Sequence, residues 1–266
     1  MDWTDDAIVL SARAHGESSL IVQLLTPDHG RHAGLVRGGA SRKQRPVFQP
    51  GNSVRASWRA RMAEHLGTLS VELQKSLAGH WIDDRLRLAG ISAACAVAEA
   101  ALPERAPSPV VYHGLAALLN ALSHDDWGAA YVAWEIGVLS ELGFGLDLQR
   151  CAVTGQSNDL VWVSPKSGRA VSRSAGEAYA DRLLRLPDFL NGGLDRVAEG
   201  PEGAGADWTD ISDGLRLSGY FLERHVFGAQ NRAIPAARER FADSVRQKAG
   251  IDDAGDSDVV DEDNNL

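Results

Sequence analysis

Before residue 83 the apolar residues recur at every second position; after it they recur at every third and fourth. That switch constrains the chain more than any motif, because a period of two must bury one face of a sheet and a helical period must bury a stripe. Ala7–Ala14, Leu20–Thr26, Arg31–Arg37, Val54–Arg61 and Gly67–Lys75 read as strands. The turns between them have turn chemistry, as in His15-Gly16-Glu17-Ser18 and Pro27-Asp28-His29-Gly30. Leu20, Val22 and Leu24 share a face, and in the last strand Leu69, Val71 and Leu73 are expected inward. Five short strands within about eighty residues fit a small closed barrel better than an open sheet.

From Asp83 onward the pattern predicts helices. Leu86, Ala89, Gly90, Ala93, Ala94 and Val97 form one stripe, whose small side chains allow close helix approach. Ser108-Pro109 is a helix start, followed by the stripe Leu115, Leu118, Leu119 and Leu122. A third helix carries Trp127, Ala130, Tyr131, Trp134, Val138 and Leu142 and stops at Gly143. Its aromatics sit at helical spacing and are assigned to packing. Cys151–Val171 reads as a small β-hairpin insert, Glu177–Leu186 as helical, and Glu199–Asp207 as a loop. Ile211–Phe227 and Ala236–Gln247 read as the last two helices.

Charge is distributed unevenly. The 266 residues carry 27 Lys+Arg against 36 Asp+Glu, a net −9. Yet Arg31, Arg37, Arg42, Lys43, Arg45, Arg55, Arg59 and Arg61 fall in one stretch without a single Asp or Glu. A basic island in an acidic chain suits a polyanion; the alternative is a solvated sheet face whose counter-acids lie elsewhere in the fold. Within the island, Val54, Ala56, Trp58 and Ala60 point one way and Arg55, Ser57, Arg59 and Arg61 the other. The connection Ala40–Pro50, bounded by Gly and Pro, is expected to be mobile. From Gly250 on there are seven acids and no bases, leaving −9 + 7 = −2 for the rest; that tail is expected to be disordered.

The motifs of several common chemistries are missing. There is no Gly-x4-Gly-Lys-Ser/Thr loop, no His-Glu-x-x-His and no Gly-x-Ser-x-Gly. The eight histidines do not pair with Cys or carboxylates at ligand spacing, and Asp125-Asp126 are explained as helix-start residues. No apolar run reaches the length of a membrane span. Asp2, Asp5 and Asp6 before a short apolar run are wrong for a signal peptide. With two cysteines, Cys95 and Cys151, a disulfide framework is out and a reducing cytoplasm is expected.

The ordered segments together resemble the RecO recombination mediators. They are Ala7–Leu10, His15–Val22, Leu25–Arg31, Gly38–Lys43, Gln49-Pro50, Glu141–Phe144, Cys151–Gly155, Ser164–Arg169 and Leu215–His225, spanning all but the tail. The resemblance implies an α+β chain: an N-terminal five-stranded OB-fold barrel, DNA-binding, at 1–79, and a helical domain at 80–147 and 176–248. A small zinc-ribbon-like insert at 148–175 interrupts the helices, and an acidic tail follows at 249–266. It further implies binding of single- and double-stranded DNA, strand annealing, and help in loading the RecA recombinase onto coated single strands in gap repair. Implied partners are RecR, in some members RecF, and the acidic tail of single-stranded-DNA-binding protein. Zinc-bearing members have two Cys-x-x-Cys pairs in the insert; the matching places here are Cys151, Thr154, Ser164 and Ser167. Three hydroxyls and one thiol are a poor zinc set, so the insert is expected to be metal-free.

Those cations are the expected phosphate contacts, joined on the insert by Lys166, Arg169 and Arg173. Phe48 is the candidate for base stacking, whereas Trp58 faces the core by parity. The competing expectation is a barrel that binds only proteins and makes no DNA contact; no enzymatic activity is expected on either reading.

Overall fold

The computed structural model describes residues 1–191 and 206–251; the acidic tail from 252 and most of the Glu199–Asp207 loop lie outside the described residues. The chain forms two compact units, Met1–Trp127 with Val226–Phe241, and Gly128–His225 with the stretch from Ala242.

The first unit is built around a closed barrel in the order β1-β2-β3-β5-β4, from β1 (Asp2–His15), β2 (Ser19–Thr26), β3 (Gly30–Val36), β4 (Ser53–Arg59) and β5 (Thr68–Lys75). Strand β1 is long because it serves two partners. Its first half pairs β4, Asp2 opposite Arg59 through Ile8 opposite Ser53, and its second half pairs β2, ending His15 opposite Ser19. An irregularity between Val9 and Ser11 marks the hand-over, and such a bulge bends a strand enough to close a small barrel. Closure is completed by the parallel pair Leu35–Thr68. Alternate residues fill the interior: Ala7, Val9, Val22, Leu24, Val54, Ala56, Trp58 and Leu69 are all buried there. Gly34 leaves the space that Leu69 takes, since a Cβ there would lie 2.4 Å from Leu69 Cγ. The parity expected for β5 fails at its end, where Leu73 is 40% exposed. Leu73 lies beyond the buried part of the barrel, and period two alone does not mark where a barrel ends.

Ala40–Pro50 is not a formless connection. It contains a 3-10 turn at Arg45–Phe48, and Phe48 is buried in the barrel core. The side chain of Asn52, fully buried, holds it: Nδ2 donates to the carbonyls of Pro46 (2.9 Å) and Val47 (3.1 Å), while Oδ1 accepts from Leu77 N (2.9 Å). Helix α1 (Arg85–Ala101) starts at Asp84, which accepts from Arg87 N, and lies on β1 with its small-residue stripe buried. A Cβ on Gly90 would meet Trp127 at 2.7 Å, so this position favours the smallest side chain. Helix α2 (Pro109–Ala121) buries Leu115, Leu118 and Leu119 on the expected stripe.

In the second unit, α3 (Trp127–Glu141) ends with Gly143 at φ +89°, a left-handed stop. The insert is a three-stranded sheet in the order β7-β6-β8, formed by β6 (Leu160–Val163), β7 (Ala170–Ser172) and β8 (Leu184–Arg185). The helix expected over Glu177–Leu186 is instead a 3-10 stretch, Glu177–Arg182, followed by β8. Leu184 and Leu186 are buried about an exposed Arg185, a strand alternation, and Pro187 prevents a helix from running on. Helix α4 (Trp208–Phe221) continues into a wide turn at Leu222–Phe227, and α5 covers Ala236–Lys248. The buried carboxylate of Glu135 on α3 accepts from Tyr131 Oη (3.1 Å) and from Ser218 Oγ on α4 (2.5 Å), which ties the two helices together.

One barrel residue makes stability depend on pH. His32 is 5% exposed and sits against the edges of Trp3 and Trp58. Burial first, then the charges of Arg105 and His29, lower its pKa from 6.5 to about 4, against a weaker pull upward from the His29 backbone. The unfolded chain therefore takes up this proton before the folded one, and stability falls as pH drops from about 6.5 toward 4. The expected loss is at most about 3.5 kcal/mol, at roughly 1.4 kcal/mol per pH unit. His32→Phe should flatten that part of the curve when denaturant unfolding is followed across this pH window.

Candidate nucleic-acid interface

The cations of the basic island meet three different fates. Arg37, at the end of β3, and Arg42, Lys43 and Arg45 on the following connection are exposed, and among the described residues none is in an ion pair. Their segment is anchored at both ends. Ala40 N donates to Ser18 O (3.0 Å), docking the Gly38-Gly39 turn on the β1–β2 turn, and Phe48 with Asn52 fixes the far side. Arg61, beyond β4, is also exposed and, among the described residues, in no ion pair.

Arg31 is held differently. Its Nε donates to Leu102 O (2.9 Å), and its own carbonyl accepts from Arg105 N (2.7 Å). Arg105, at φ +61°, donates onward to the carbonyls of Ala63 and His65 and so pins the β4–β5 connection. Gly30 sits under this clasp; a Cβ there would lie 2.0 Å from the Ala106 carbonyl oxygen. Arg31 and Arg105 thus act as structural ties.

On β4 the parity is as expected: Val54, Ala56 and Trp58 are buried, and Arg55, Ser57 and Arg59 point outward. Both arginines, however, face acids of β1. Arg55 pairs with Asp6 (2.9 Å) and Arg59 with Asp2 (3.6 Å), because the register sets each directly opposite the other. These are exposed pairs, a kind that contributes roughly 0–1 kcal/mol. The counter-acids considered for a solvated sheet face therefore exist for β4, and among the described residues not for the connection preceding it. Phe48 is not a stacking residue, since it packs inside the barrel. Arg13, exposed on β1 opposite Ile21, is a further cation of the barrel that lies outside the basic island in sequence.

On the insert, in the second unit, Lys166 is exposed and unpaired, Arg169 pairs with Asp147 (3.3 Å) and Arg173 with Asp159 (3.2 Å). The turn at Cys151 is held by hydrogen bonds. Cys151 Sγ accepts from Thr154 N (3.4 Å) and Ser172 N (3.3 Å) and shares a hydrogen bond with Ser172 Oγ (3.4 Å). The second turn closes through Gly168 N to Ser164 O (2.9 Å). One thiol with Thr154, Ser164 and Ser167 does not fit a structural zinc ion. Among the described residues no group of three or more His, Cys, Asp or Glu could hold a metal.

Two family models cover nearly all of the described chain: Recombination protein O N terminal matches residues 1–77 and Recombination protein O C terminal matches residues 82–233. The chain is 53% identical to a DNA repair protein RecO of Rhodospirillum centenum over 93% of this chain and 96% of that one. It is 51% identical to one of Rhodospirillum rubrum over 95% and 99%, and 49% identical to one of Caulobacter vibrioides over 90% and 95%.

The thiol of Cys151 offers a direct check of the insert. Burial raises its pKa, but the hydrogen bonds from Ser172 and Thr154 prevail and bring it down to about 6, whereas burial pushes Cys95 up to about 12. Near neutral pH the ultraviolet thiolate signal should correspond to roughly one cysteine. Its midpoint should lie at about pH 6 and vanish in Cys151→Ser.

Proposed function

The chain belongs to the RecO family of DNA repair proteins, and from that premise we propose that it binds DNA through the anchored basic connection and anneals complementary single strands. In this reading it helps load the RecA recombinase onto coated single strands in gap repair. A role in recombinational repair follows from the family; the phosphate contacts and the annealing step are the proposal. The observation that carries it is the set Arg37, Arg42, Lys43 and Arg45, exposed, without carboxylate partners among the described residues and fixed to a closed barrel.

Such a surface suits annealing. Arg guanidiniums can meet phosphate oxygens in pairs, and the cations hold a strand by its backbone. The Arg37–Arg45 segment carries no aromatic side chain, so base edges stay open for a complementary strand. Arg61 and Lys166 are further candidate contacts; Arg55, Arg59 and Arg169 contribute only if their ion pairs open. RecR, RecF in some settings, and the acidic tail of single-stranded-DNA-binding protein complete the proposed partners, and the proposed site of action is the cytoplasmic nucleoid. No helix among the described residues is long and apolar enough to cross a membrane. No catalytic step is assigned. The competing reading, a barrel that binds only proteins, draws its support from the pairing of the β4 arginines with β1 acids.

Neutralising Arg42, Lys43 and Arg45 together should weaken binding to all single-strand sequences alike. It should also flatten the dependence of log K on log salt by about 2, at roughly 0.7 for each phosphate no longer neutralised. Fluorescent oligonucleotide titrations over a range of salt read both effects. Wild-type affinity that barely changes with salt would reject the proposed interface.

A further inference from the structure

Strands β1, β4 and β5 present three rows across their outer face. Asp2, Arg59 and Thr68 form one; Thr4, Ser57 and Ser70 the next; Asp6, Arg55 and Glu72 the third. The middle row is tied by a 2.8 Å hydrogen bond between the hydroxyls of Thr4 and Ser57. Around the first two rows lies an open groove of about 480 Å³. Two guanidiniums thus flank a row of hydroxyls, a layout suited to a sugar–phosphate strand, but each guanidinium is already facing a carboxylate.

We propose that this wall is a second phosphate-binding strip, masked by the chain's own β1 acids: Asp2 and Asp6 occupy Arg59 and Arg55 until a nucleic-acid strand displaces them. The inference rests on the DNA-contact reading and adds to it a built-in competitor. The pairs are placed to open. Side-chain exposure is 82% for Arg59 and 69% for Asp2, 43% for Arg55 and 58% for Asp6, so water can replace either partner as they separate. β4 follows directly on the basic connection and leads to the unpaired Arg61. A strand already held at Arg42–Arg45 therefore meets the masked strip at high effective concentration, whereas a lone phosphate does not. The mask favours long strands over short ones, and Glu72 beside Arg55 deepens it.

A double-mutant cycle in the full chain tests this, with a long poly-dT strand as the probe and the salt dependence recorded for each variant. Asp2→Asn with Asp6→Asn should tighten binding roughly 3- to 10-fold. It should also steepen the salt dependence by up to about 1.4, at roughly 0.7 for each phosphate that the ion pairs still kept off in wild type. The same two changes made in an Arg55→Gln, Arg59→Gln background should give no such gain. Equal gains in both backgrounds would reduce the effect to net charge and overturn the mask, as would no gain in the presence of the arginines. If neither wild type nor any variant binds the strand at low salt, the DNA-contact reading falls first and the mask with it.

Discussion

The buried amide of Asn52 is the interaction on which the basic connection depends. Its side chain satisfies the carbonyls of Pro46 and Val47 and the N–H of Leu77, while its own backbone carbonyl accepts from Val9 N near the β1 bulge. Three pieces of chain far apart in sequence meet on one residue. An unpaired polar group in such a place costs about 1–3 kcal/mol, so the arrangement is strongly specified. Its effect is to seat Phe48 in the core and to present Arg42, Lys43 and Arg45 on a braced segment. A braced segment gives up less conformational freedom when a strand binds than a slack one would.

Much of the fold was legible because its information is local. Period two fixed the strands and the inward face of β4, including Trp58, and the change of period placed the helices close to their observed limits. What was not legible is non-local. That Asp2 and Asp6 stand against Arg59 and Arg55 depends on β1 pairing β4 across some fifty residues. In retrospect the mirrored triplets Asp-x-Thr-x-Asp and Arg-x-Ser-x-Arg are a signal of that pairing. Phe48 lies in a segment of turn-like composition, and nothing nearby in sequence shows that a buried asparagine will draw it inward. The misread stretch Glu177–Leu186 had helix-forming residues, but β6 offered Leu184 a strand partner and tertiary pairing overrode propensity.

The insert holds its Cys151 turn through hydrogen bonds to sulfur. The Cys151 sulfur accepts backbone N–H groups from Thr154 and Ser172, and these same bonds favour its charged form. The strands keep their pairing through β6, which has a partner on each side. Hydrogen bonds of this kind are weaker than coordination and hold the turn only within the fold. The turn is therefore tied to the integrity of the strands around it.

Closing the barrel through Leu35 and Thr68 also determines how other molecules can approach it. Four of its five junctions are paired over several residues, whereas β3 and β5 meet through the single pair Leu35–Thr68, so that seam is the one place on the barrel where strand edges run with little backbone pairing between them. Elsewhere on its wall, whatever docks must recognise side chains and turns. Mutations that change those side chains can thus retune binding while the ring of backbone bonds stays intact.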